Sequence, residues 1–437
     1  VRILKYDVDG DGVIETGDKM YALFGFGRGG PAYYALDITS RTTPRFLWKK
    51  EGDDLPMLGQ AWSAPQITRV NVGGSVQTDP QKFVAIFGAG YDDGQEAYSY
   101  RVDGEGNGIY MLEVTTGNIL WSAGLTGTAG VNWESDQMNN SIPSDVTVVD
   151  INGDTFGDRM YVGDMGGRIW RFDIWHGQEP DLLVSGGVLA TLGVGHLNPA
   201  TPTAPAVRQE SRRFYNAADV SLMTPRGAAP FFNIAIGSGY RGHPLETDTR
   251  DRFYSIRDYR PFERRLDESY TSAAGWTPIT DGSLVDVTTA VNAVVADGSN
   301  GWKIELNLDG WRGEKVLAES VTVGGVIFFP TFTPVGANPS NPCLAATLNR
   351  TWAVYLDSAR PFGLLDGQNP GTGGGTGGWA SDPRSRYKNN PLDGIAPGTA
   401  VIMGGGSNGA PVCLVGANSH KCPKVGGVTR TFWERRQ

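Results

Sequence analysis

The sequence predicts an all-β protein, and three observations lead to this class. Glycine and proline are abundant, with 61 Gly and 26 Pro among 437 residues, as expected for many short strands joined by turns. Aromatic residues make up 10% of the chain, and charged residues make up 19%, below the roughly 25% of an average soluble domain. One strand-turn-strand pattern also recurs along most of the chain. These features exclude a helical bundle, a coiled coil and a disordered tail.

The repeat consists of an apolar strand, a glycine-rich turn and a second strand that ends in aromatic-x-x-Asp or a close variant, often followed by Trp. Its five copies begin with the strands at residues 21–25, 83–88, 159–163, 233–237 and 325–329. Short apolar runs bounded by glycine predict strands paired in hairpins. One small sheet cannot cover both of its faces, whereas sheets packed in a ring cover one another and leave only short edges.

The repeat therefore predicts a β-propeller with long insertions between its strands, formed as a single domain over residues 1–437. Two further blades are expected from the strands at residues 303–306 and 400–403. We expect about seven blades, with six as the alternative.

Charge and hydropathy exclude two classes of partner. The net charge is -9 and basic residues form no cluster longer than a pair, so we expect no binding to nucleic acid. The long uncharged stretches at residues 182–207 and 320–349 contain several Pro and Gly and no run of about 20 apolar residues, so we expect no membrane span. The three cysteines, Cys343, Cys413 and Cys422, allow three pairings, among which the shortest loop favours Cys413 with Cys422.

The first candidate metal site lies near the start of the chain and has the spacing of an EF-hand loop. Oxygen donors fall at loop positions 1, 3, 5, 7 and 12, which are Asp7, Asp9, Asp11, Val13 through its carbonyl, and Asp18. Gly12 stands at position 6, where the chain must turn sharply around the ion. The final position holds Asp in place of the usual Glu.

The second candidate site is a nine-residue loop between two apolar runs. Its donors are Asp150, Asn152, Asp154, Phe156 through its carbonyl, and Asp158. A solvated acidic turn is the alternative, since Asp, Asn and Gly are common turn residues. Four oxygen donors in strict alternation favour a hard cation instead, and the absence of His and Cys disfavours zinc. The sequence thus predicts one or two Ca²⁺ sites. The acidic stretch at residues 92–96 lacks this alternation and is expected to be an exposed turn.

Several motifs, in order, resemble the propeller of the PilC/PilY-type type IV pilus tip adhesin and biogenesis factor family. These motifs are the segments at residues 27–37, 237–244, 251–254, 314–329 and 433–436. The candidate calcium loop at residues 150–158 also has the position of the family's calcium site, before a strand that ends in Trp-Arg-Phe-Asp at residues 170–173. The resemblance extends from about residue 20 to the end of the chain. The Arg-Gly-Asp tripeptide of some members is missing, and the loop at residues 7–18 is not a fixed feature of the family.

The resemblance implies the C-terminal propeller of a larger secreted protein, exported through the periplasm and outer membrane to the pilus tip. It implies docking on minor pilins, contact with a host-cell or abiotic surface, and no enzymatic activity. It also implies that calcium at residues 150–158 controls pilus extension against retraction, and hence twitching motility.

Two other interpretations remain open from the sequence. The repeat also resembles that of quinoprotein dehydrogenase propellers, which bind pyrroloquinoline quinone over calcium, but the adjacent cysteine pair common in those enzymes is absent. A calcium-stabilised secreted adhesin without a link to pili would share the fold and the ion, but not the minor-pilin partner.

Overall fold

The computed structural model describes residues 1–7, 17–73, 81–96, 101–197, 204–262, 277–338, 341–362, 382–390, 395, 400–403 and 412–415. Within these residues the only α-helix is Pro205–Gln209, and nearly all other regular structure is β. Short 3-10 helices span Gly52–Asp54, Asp93–Glu96, Pro180–Leu182, Asp281–Ser283 and Pro383–Arg386. The strands form five sheets of four or five strands and one two-stranded sheet, which confirms the all-β, propeller-like class.

The first of two compact units is built on Val1–Pro202 and holds three sheets in chain order. The first sheet contains β1 (Arg2–Tyr6), β2 (Lys19–Gly25), β3 (Ala32–Asp37) and β4 (Arg45–Glu51). The second contains β5 (Gln66–Asn71), β6 (Gln81–Gly88), β7 (Gly108–Glu113), β8 (Ile119–Gly124) and β9 (Trp133–Glu134). The third contains β10 (Thr147–Val149), β11 (Arg159–Gly163), β12 (Arg168–Ile174) and β13 (Val184–Thr191). Consecutive strands pair antiparallel, except that β8 and β9 are parallel.

The second unit is built mainly on Thr203–Glu263 and Ile279–Glu434. Its strands β14 (Asp219–Met223), β15 (Phe231–Gly237), β16 (Arg252–Asp258), β17 (Ile279–Thr280), β18 (Val285–Asp286) and β19 (Gly301–Glu305) come first. The fourth sheet has the order β14-β15-β16-β19-β18. The fifth sheet contains, in order, β20 (Val321–Val323), β21 (Val326–Asn338), β22 (Asn341–Tyr355) and β23 (Tyr387–Asn390). A separate hairpin pairs β24 (Ala400–Met403) with β25 (Val412–Val415).

The five copies of the sequence repeat correspond to the five larger sheets. The tryptophan of the repeat explains how neighbouring sheets are joined within a unit. The indole Nε1–H of Trp48 in β4 donates to the carbonyl of Val114 in the second sheet at 2.8 Å. In the second unit, Trp302 in β19 donates to the carbonyl of Leu356, just after β22, also at 2.8 Å. Each of these tryptophans therefore completes its hydrogen bond on the next sheet along the chain.

Large aromatic side chains fill the spaces between neighbouring sheets. Tyr33 and Phe87, from the first and second sheets, have ring centroids 4.0 Å apart, and Trp121 meets Phe172 of the third sheet edge to face at 5.7 Å. In the second unit, Phe253 and Phe329 stack at 3.7 Å. All of these residues are buried. Aromatic packing of this kind, together with buried aliphatic side chains, holds the sheets together.

One of the two predicted additional blades is wrong. The strand expected at residues 303–306 is the end of β19, which pairs antiparallel with β16 inside the fourth sheet. The apolar pattern identified a strand there, but pairing partners are distant along the chain and local periodicity cannot reveal them. The strand predicted at residues 400–403 is present as β24. The single-domain organisation over residues 1–437 stays a prediction.

Two further expectations concern membranes and cysteines. In the described ranges, no helix has the length and apolar character required to cross a bilayer. Cys343 and Cys413 lie in β22 and β25, whereas Cys422 falls outside the described residues. The disulfide pairing therefore stays a prediction.

A partly buried carboxyl group joins the fourth and fifth sheets and makes stability depend on pH. The hydroxyl of Thr322 in β20 donates to Asp219 Oδ2 in β14 at 2.5 Å. Burial raises the pKa of Asp219 to about 7, and the charge of Glu319 adds to the rise. A carboxyl group whose folded pKa lies above its unfolded value stabilises the fold at low pH. That stability is lost as the pH rises from about 4 to about 7.

We therefore expect Asp219→Asn to be more stable than the wild type by about 3–4 kcal/mol at pH 8, and by less than about 1 kcal/mol at pH 4.5. The amide keeps the size of the side chain but cannot ionise. Thermal unfolding at the two pH values measures the difference, with Asp297→Asn, at an exposed site, as the control. A stability difference that stays the same at both pH values would contradict this account.

Candidate metal centre

The predicted loop at residues 150–158 forms the turn of a hairpin in the third sheet. It joins the end of β10 to the start of β11, and these strands pair antiparallel with Val149 opposite Arg159. The backbone N–H of Asp158 donates to the carbonyl of Val149 at 2.7 Å. The loop is therefore held at both ends by the sheet, between two adjacent strands as the sequence predicted.

The first acidic side chain of the loop is oriented by backbone N–H groups ahead of it. Asp150 Oδ1 accepts from the N–H of Gly153 at 2.7 Å, and its Oδ2 accepts from the N–H of Thr155 at 2.8 Å. Gly153 and Thr155 have φ of 79° and 74°, in the left-handed region. Glycine adopts that region freely, but a β-branched residue such as threonine does so only under constraint. Thr155 is therefore held in a strained backbone conformation, which lets the loop wrap around the carboxylate of Asp150.

The side chains of the next two donors also accept hydrogen bonds from backbone N–H groups that follow them in the loop. Asn152 Oδ1 accepts from the N–H of Asp154, and Asp154 Oδ1 accepts from the N–H of Phe156, both at 2.9 Å. The amide of Asn152 also donates to Asp154 Oδ2 at 3.0 Å. Asn152 and Asp154 are exposed, so this side of the loop is open to solvent.

The last donor is the most buried. Asp158 is 3% exposed, and its Oδ2 accepts from the N–H of Ile151 at 2.8 Å. Its backbone carbonyl accepts from the N–H of Ile174 at 2.8 Å, which ties the end of the loop to β12. His176 Nε2 lies 3.7 Å from Asp158 Oδ1. The carboxylate is thus fixed by the backbone on one side and faces an imidazole on the other.

The chemistry of these donors fits a hard divalent cation. Asp150, Asn152, Asp154 and Asp158 offer side-chain oxygens, and Phe156 offers its carbonyl, which is the ligand type that Ca²⁺ prefers. Asp150, Asp154 and Asp158 do not, however, form a group of three carboxylates with oxygens within 4.8 Å of one another. An ion at this loop would therefore have to draw them closer by side-chain rotation.

The first predicted loop is described only at its two ends. Its flanking strands pair antiparallel with Tyr6 opposite Lys19, so it also joins two strands of a hairpin. Asp7 Oδ2 lies 3.3 Å from Lys5 Nζ, and Asp18 is 3% exposed just before β2. The other three predicted donors, Asp9, Asp11 and Val13, lie outside the described residues.

A third acidic group lies in the second sheet, where the sequence predicted an exposed turn. Carboxylate oxygens of Asp92, Asp93 and Glu105 lie within 4.8 Å of one another, the one such group among the described residues, and could hold a metal ion. The exposed-turn prediction is wrong for Asp92 and Gln95, which are 4% and 1% exposed. It failed because later residues of the same connection bond to them, Gly104 to Asp92 and Asp103 to Gln95.

The backbone of this connection holds Asp92 from both sides. Its carboxylate accepts from the N–H groups of Gly94 at 2.7 Å and Gly104 at 2.8 Å, and it pairs with Arg101. Burial raises the pKa of Glu105, and the charges of Asp92 and Asp93 raise it further.

A neighbouring carboxylate in the same connection is buried more deeply. Asp103 accepts from the amide of Gln95 at 2.8 Å and from the N–H of Ser141 at 2.7 Å. Burial raises the pKa of Asp103 to about 6. Sequence reasoning missed both Asp103 and Glu105. The alternation of acid and glycine over residues 103–106 was the signal that could have drawn attention to them.

Comparison with known proteins finds relatives of one kind. No protein-family model matches the chain. The type IV pilus biogenesis factor PilY1 of Pseudomonas aeruginosa strain PAO1 is 25% identical over 381 residues, which cover 77% of this chain and 29% of that protein. A PilY1 homolog of Xylella fastidiosa is 23% identical over 373 residues, which cover 81% of this chain and 23% of that protein.

A solved structure agrees with these sequence relatives. The crystal structure of the C-terminal domain of Pseudomonas aeruginosa PilY1 matches 94% of this chain and 81% of its own, with a TM-score of 0.58 and 18% identity. The chain is similar in sequence and fold to PilY1-type type IV pilus biogenesis factors. The resemblance seen in the sequence is thereby confirmed, and the matched region is the C-terminal domain of the PilY1 family.

The chain corresponds to only part of the length of these relatives. The chain spans less than a third of the length of the first PilY1 relatives it matches, 29% for the protein of strain PAO1. The names of these relatives denote biogenesis factors and mention no enzymatic activity.

Proposed function

We propose that this chain is the calcium-binding propeller of a type IV pilus tip-associated protein that supports pilus biogenesis. The proposal rests chiefly on one observation, the hairpin loop of alternating oxygen donors at residues 150–158. Calcium would be held there by the side chains of Asp150, Asn152, Asp154 and Asp158 and by the carbonyl of Phe156. A second ion would occupy the loop at residues 7–18.

The biological part of the proposal follows from the family. We infer that the chain acts at the bacterial cell surface, at the pilus tip, after export through the periplasm and outer membrane. Minor pilins would be its docking partners, and a host-cell or abiotic surface its adhesion target. Calcium would set the balance between pilus extension and retraction, and hence twitching motility. No catalytic step is part of this function.

An ion that binds the folded loop stabilises it by mass action. The gain is about 2.7 kcal/mol when free calcium exceeds the dissociation constant a hundredfold. Without the ion, the charges of Asp150, Asp154 and Asp158 repel one another, and the hydrogen bonds described above offset that repulsion only in part. The loop therefore has a physical reason to respond to calcium.

We expect Asp154→Ala to remove one calcium site while leaving the protein folded, because Asp154 is exposed and contributes only to the loop. Isothermal titration of chelator-stripped protein with calcium gives the number of sites. Asp136→Ala, at an exposed position outside the loops, serves as the matched control. Wild-type stoichiometry in the Asp154→Ala protein, or no binding at millimolar calcium, would contradict the proposal.

The link to pili needs a cellular measurement with the full-length protein. Chromosomal Asp154→Ala is expected to change surface piliation and twitching zones as calcium is varied, whereas Asp136→Ala is expected to behave as the wild type. If a variant that binds no calcium at this loop showed wild-type piliation and twitching at every calcium level, the regulatory role would be refuted. A calcium-stabilised adhesin without a pilus role would then be the better description.

A further inference from the structure

The hairpin loop at residues 150–158 does more than close the third sheet, because it also lies along the edge strand of the second sheet. Arg69 of β5 and Phe156 of the loop form a parallel β-bridge. The N–H of Gly157 donates to the carbonyl of Arg69 at 3.0 Å. The edge of β5 is therefore paired by the loop itself, and both sheets belong to the same compact unit.

The side chain of Arg69 makes a second connection between strand and loop. Its guanidinium lies 4.5 Å from the centroid of the Phe156 ring, within the range of a cation–π contact. The same guanidinium donates to the hydroxyl of Thr155 at 3.2 Å. Thr155 is the loop residue other than glycine whose φ lies in the left-handed region. Arg69 therefore contacts the loop at its strained backbone position.

A third connection runs through His176, in the turn after β12. Its Nδ1 accepts from the backbone N–H of Asn71 in β5 at 3.2 Å, which in the neutral ring leaves the proton on Nε2. That Nε2 lies 3.7 Å from Asp158 Oδ1 and the ring meets Phe156 edge to face at 5.4 Å. His176 thus stands between the last loop carboxylate and strand β5.

The backbone continues the junction beyond His176. The N–H of Gly177 donates to the carbonyl of Asn71 at 2.8 Å, and the N–H of Gly73 donates to the carbonyl of Gln178 at 2.7 Å. A Cβ at Gly73 would lie 2.0 Å from the carbonyl oxygen of Gly177, so only glycine allows this approach. We call the contacts of residues 69–73 with residues 155–157 and 176–178 the β5 seam.

We propose that the β5 seam is a calcium-dependent latch between the second and third sheets, with Arg69 and His176 as positioning residues. This inference rests on the proposed calcium site at residues 150–158. Phe156 and Asp158 each have two roles, because each is a proposed calcium ligand and each also makes contacts in the β5 seam. An ion that draws the loop carboxylates together fixes both residues, and therefore holds the edge of β5 in place.

Coupling between two sites is reciprocal, so the latch has two measurable signatures. Calcium is expected to slow amide hydrogen exchange at Asn71, Gly73, Gly157 and Gly177 by tenfold or more. Breaking the seam is expected in turn to weaken calcium binding about five- to tenfold, within the usual range of coupling between sites.

The test combines hydrogen exchange and calorimetry on wild type, Arg69→Ala and Gly73→Ala. Neither variant removes an ion ligand, and both are expected to bind one calcium at the loop, more weakly, without the calcium-dependent protection of β5. Arg69→Lys keeps the charge but loses the planar stacking, and is expected to fall between wild type and Arg69→Ala. Arg45→Ala, at an exposed arginine of the first sheet, is the matched control and should behave as the wild type.

The outcomes separate this inference from the function on which it rests. Absence of calcium binding at the wild-type loop would refute the proposed site, and the latch with it. Normal calcium binding with no change in exchange at the β5 seam would refute the latch alone. If Gly73→Ala does not fold, Arg69→Ala with unaltered calcium affinity and unaltered protection of β5 is sufficient to overturn the latch.

Discussion

Replacing Asp173 by alanine is expected to lower the free energy of unfolding by about 3–5 kcal/mol, the usual effect of removing one partner from a buried ion pair. Asp173 is 1% exposed and bonds two fully buried arginines of the third sheet. Its Oδ1 accepts from Arg159 Nε at 2.5 Å, and its Oδ2 accepts from a terminal nitrogen of Arg171 at 3.0 Å. The variant leaves both guanidinium groups in the interior without this carboxylate.

Urea unfolding followed by circular dichroism measures this loss. The matched control is Asp181→Ala, since Asp181 is exposed and accepts only one surface hydrogen bond among the contacts described, from Asn132 at 2.7 Å. We expect the control to differ from the wild type by no more than about 0.5 kcal/mol. Equal unfolding midpoints for the two variants would show that the buried pairs contribute little.

The second large effect is expected for Lys315→Met in the other compact unit. Lys315 is fully buried, and its ammonium donates to the carbonyl of Pro244 at 3.0 Å and to that of Glu246. The positive charge of Lys315 also favours the ionised form of Asp251, whose pKa is raised by burial. Methionine fills the space but removes the ammonium from two carbonyls and from the neighbourhood of a buried carboxyl group. We expect a loss of about 3–5 kcal/mol at pH 8.

The pH dependence of the Lys315→Met variant provides its internal check. The pKa of Asp251 is raised in the folded protein, so at low pH this side chain is protonated and tolerates burial. As the pH rises through that pKa, Asp251 ionises, and the free-energy cost of burying its charge in the Lys315→Met variant grows. We therefore expect a smaller deficit at pH 5 than at pH 8 in thermal unfolding. Lys388→Met, at an exposed lysine, is the control. If the variant lost more stability at pH 5 than at pH 8, the pH dependence would have the opposite direction and the role given to Asp251 would be wrong.

The sequence predicted the strands and the position of the loop at residues 150–158 well because both are local patterns. Alternating oxygen donors between two apolar runs correctly placed residues 150–158 in a hairpin, since one turn must reverse the chain there. The aromatic-x-x-Asp repeat likewise marked real strands. It did not reveal what the acid does, and in the third sheet Asp173 binds one arginine from its own strand and one from the strand beside it.

What the sequence missed depends on contacts between distant residues. The group of Asp92, Asp93 and Glu105 is assembled by the fold-back of one connection, and its members show no common spacing. The sheet to which residues 303–306 belong is decided by pairing with β16, about fifty residues earlier in the chain. The β5 seam was equally hidden, because Arg69 and Phe156 come from different sheets and neither belongs to a motif with the other.

The tryptophan bonds between successive sheets bear on how the chain folds. Trp48 reaches a carbonyl of the second sheet, so the first sheet by itself leaves an indole N–H and a large aromatic surface without a partner. Gly117, with φ of 69°, lies against the same ring, and a Cβ there would be 2.8 Å from it. A sheet of this kind gains its full stability only when its successor has formed, as in other repeat proteins. The first and second sheets are therefore expected to fold as one cooperative unit, and a boundary cut between them would separate its two halves.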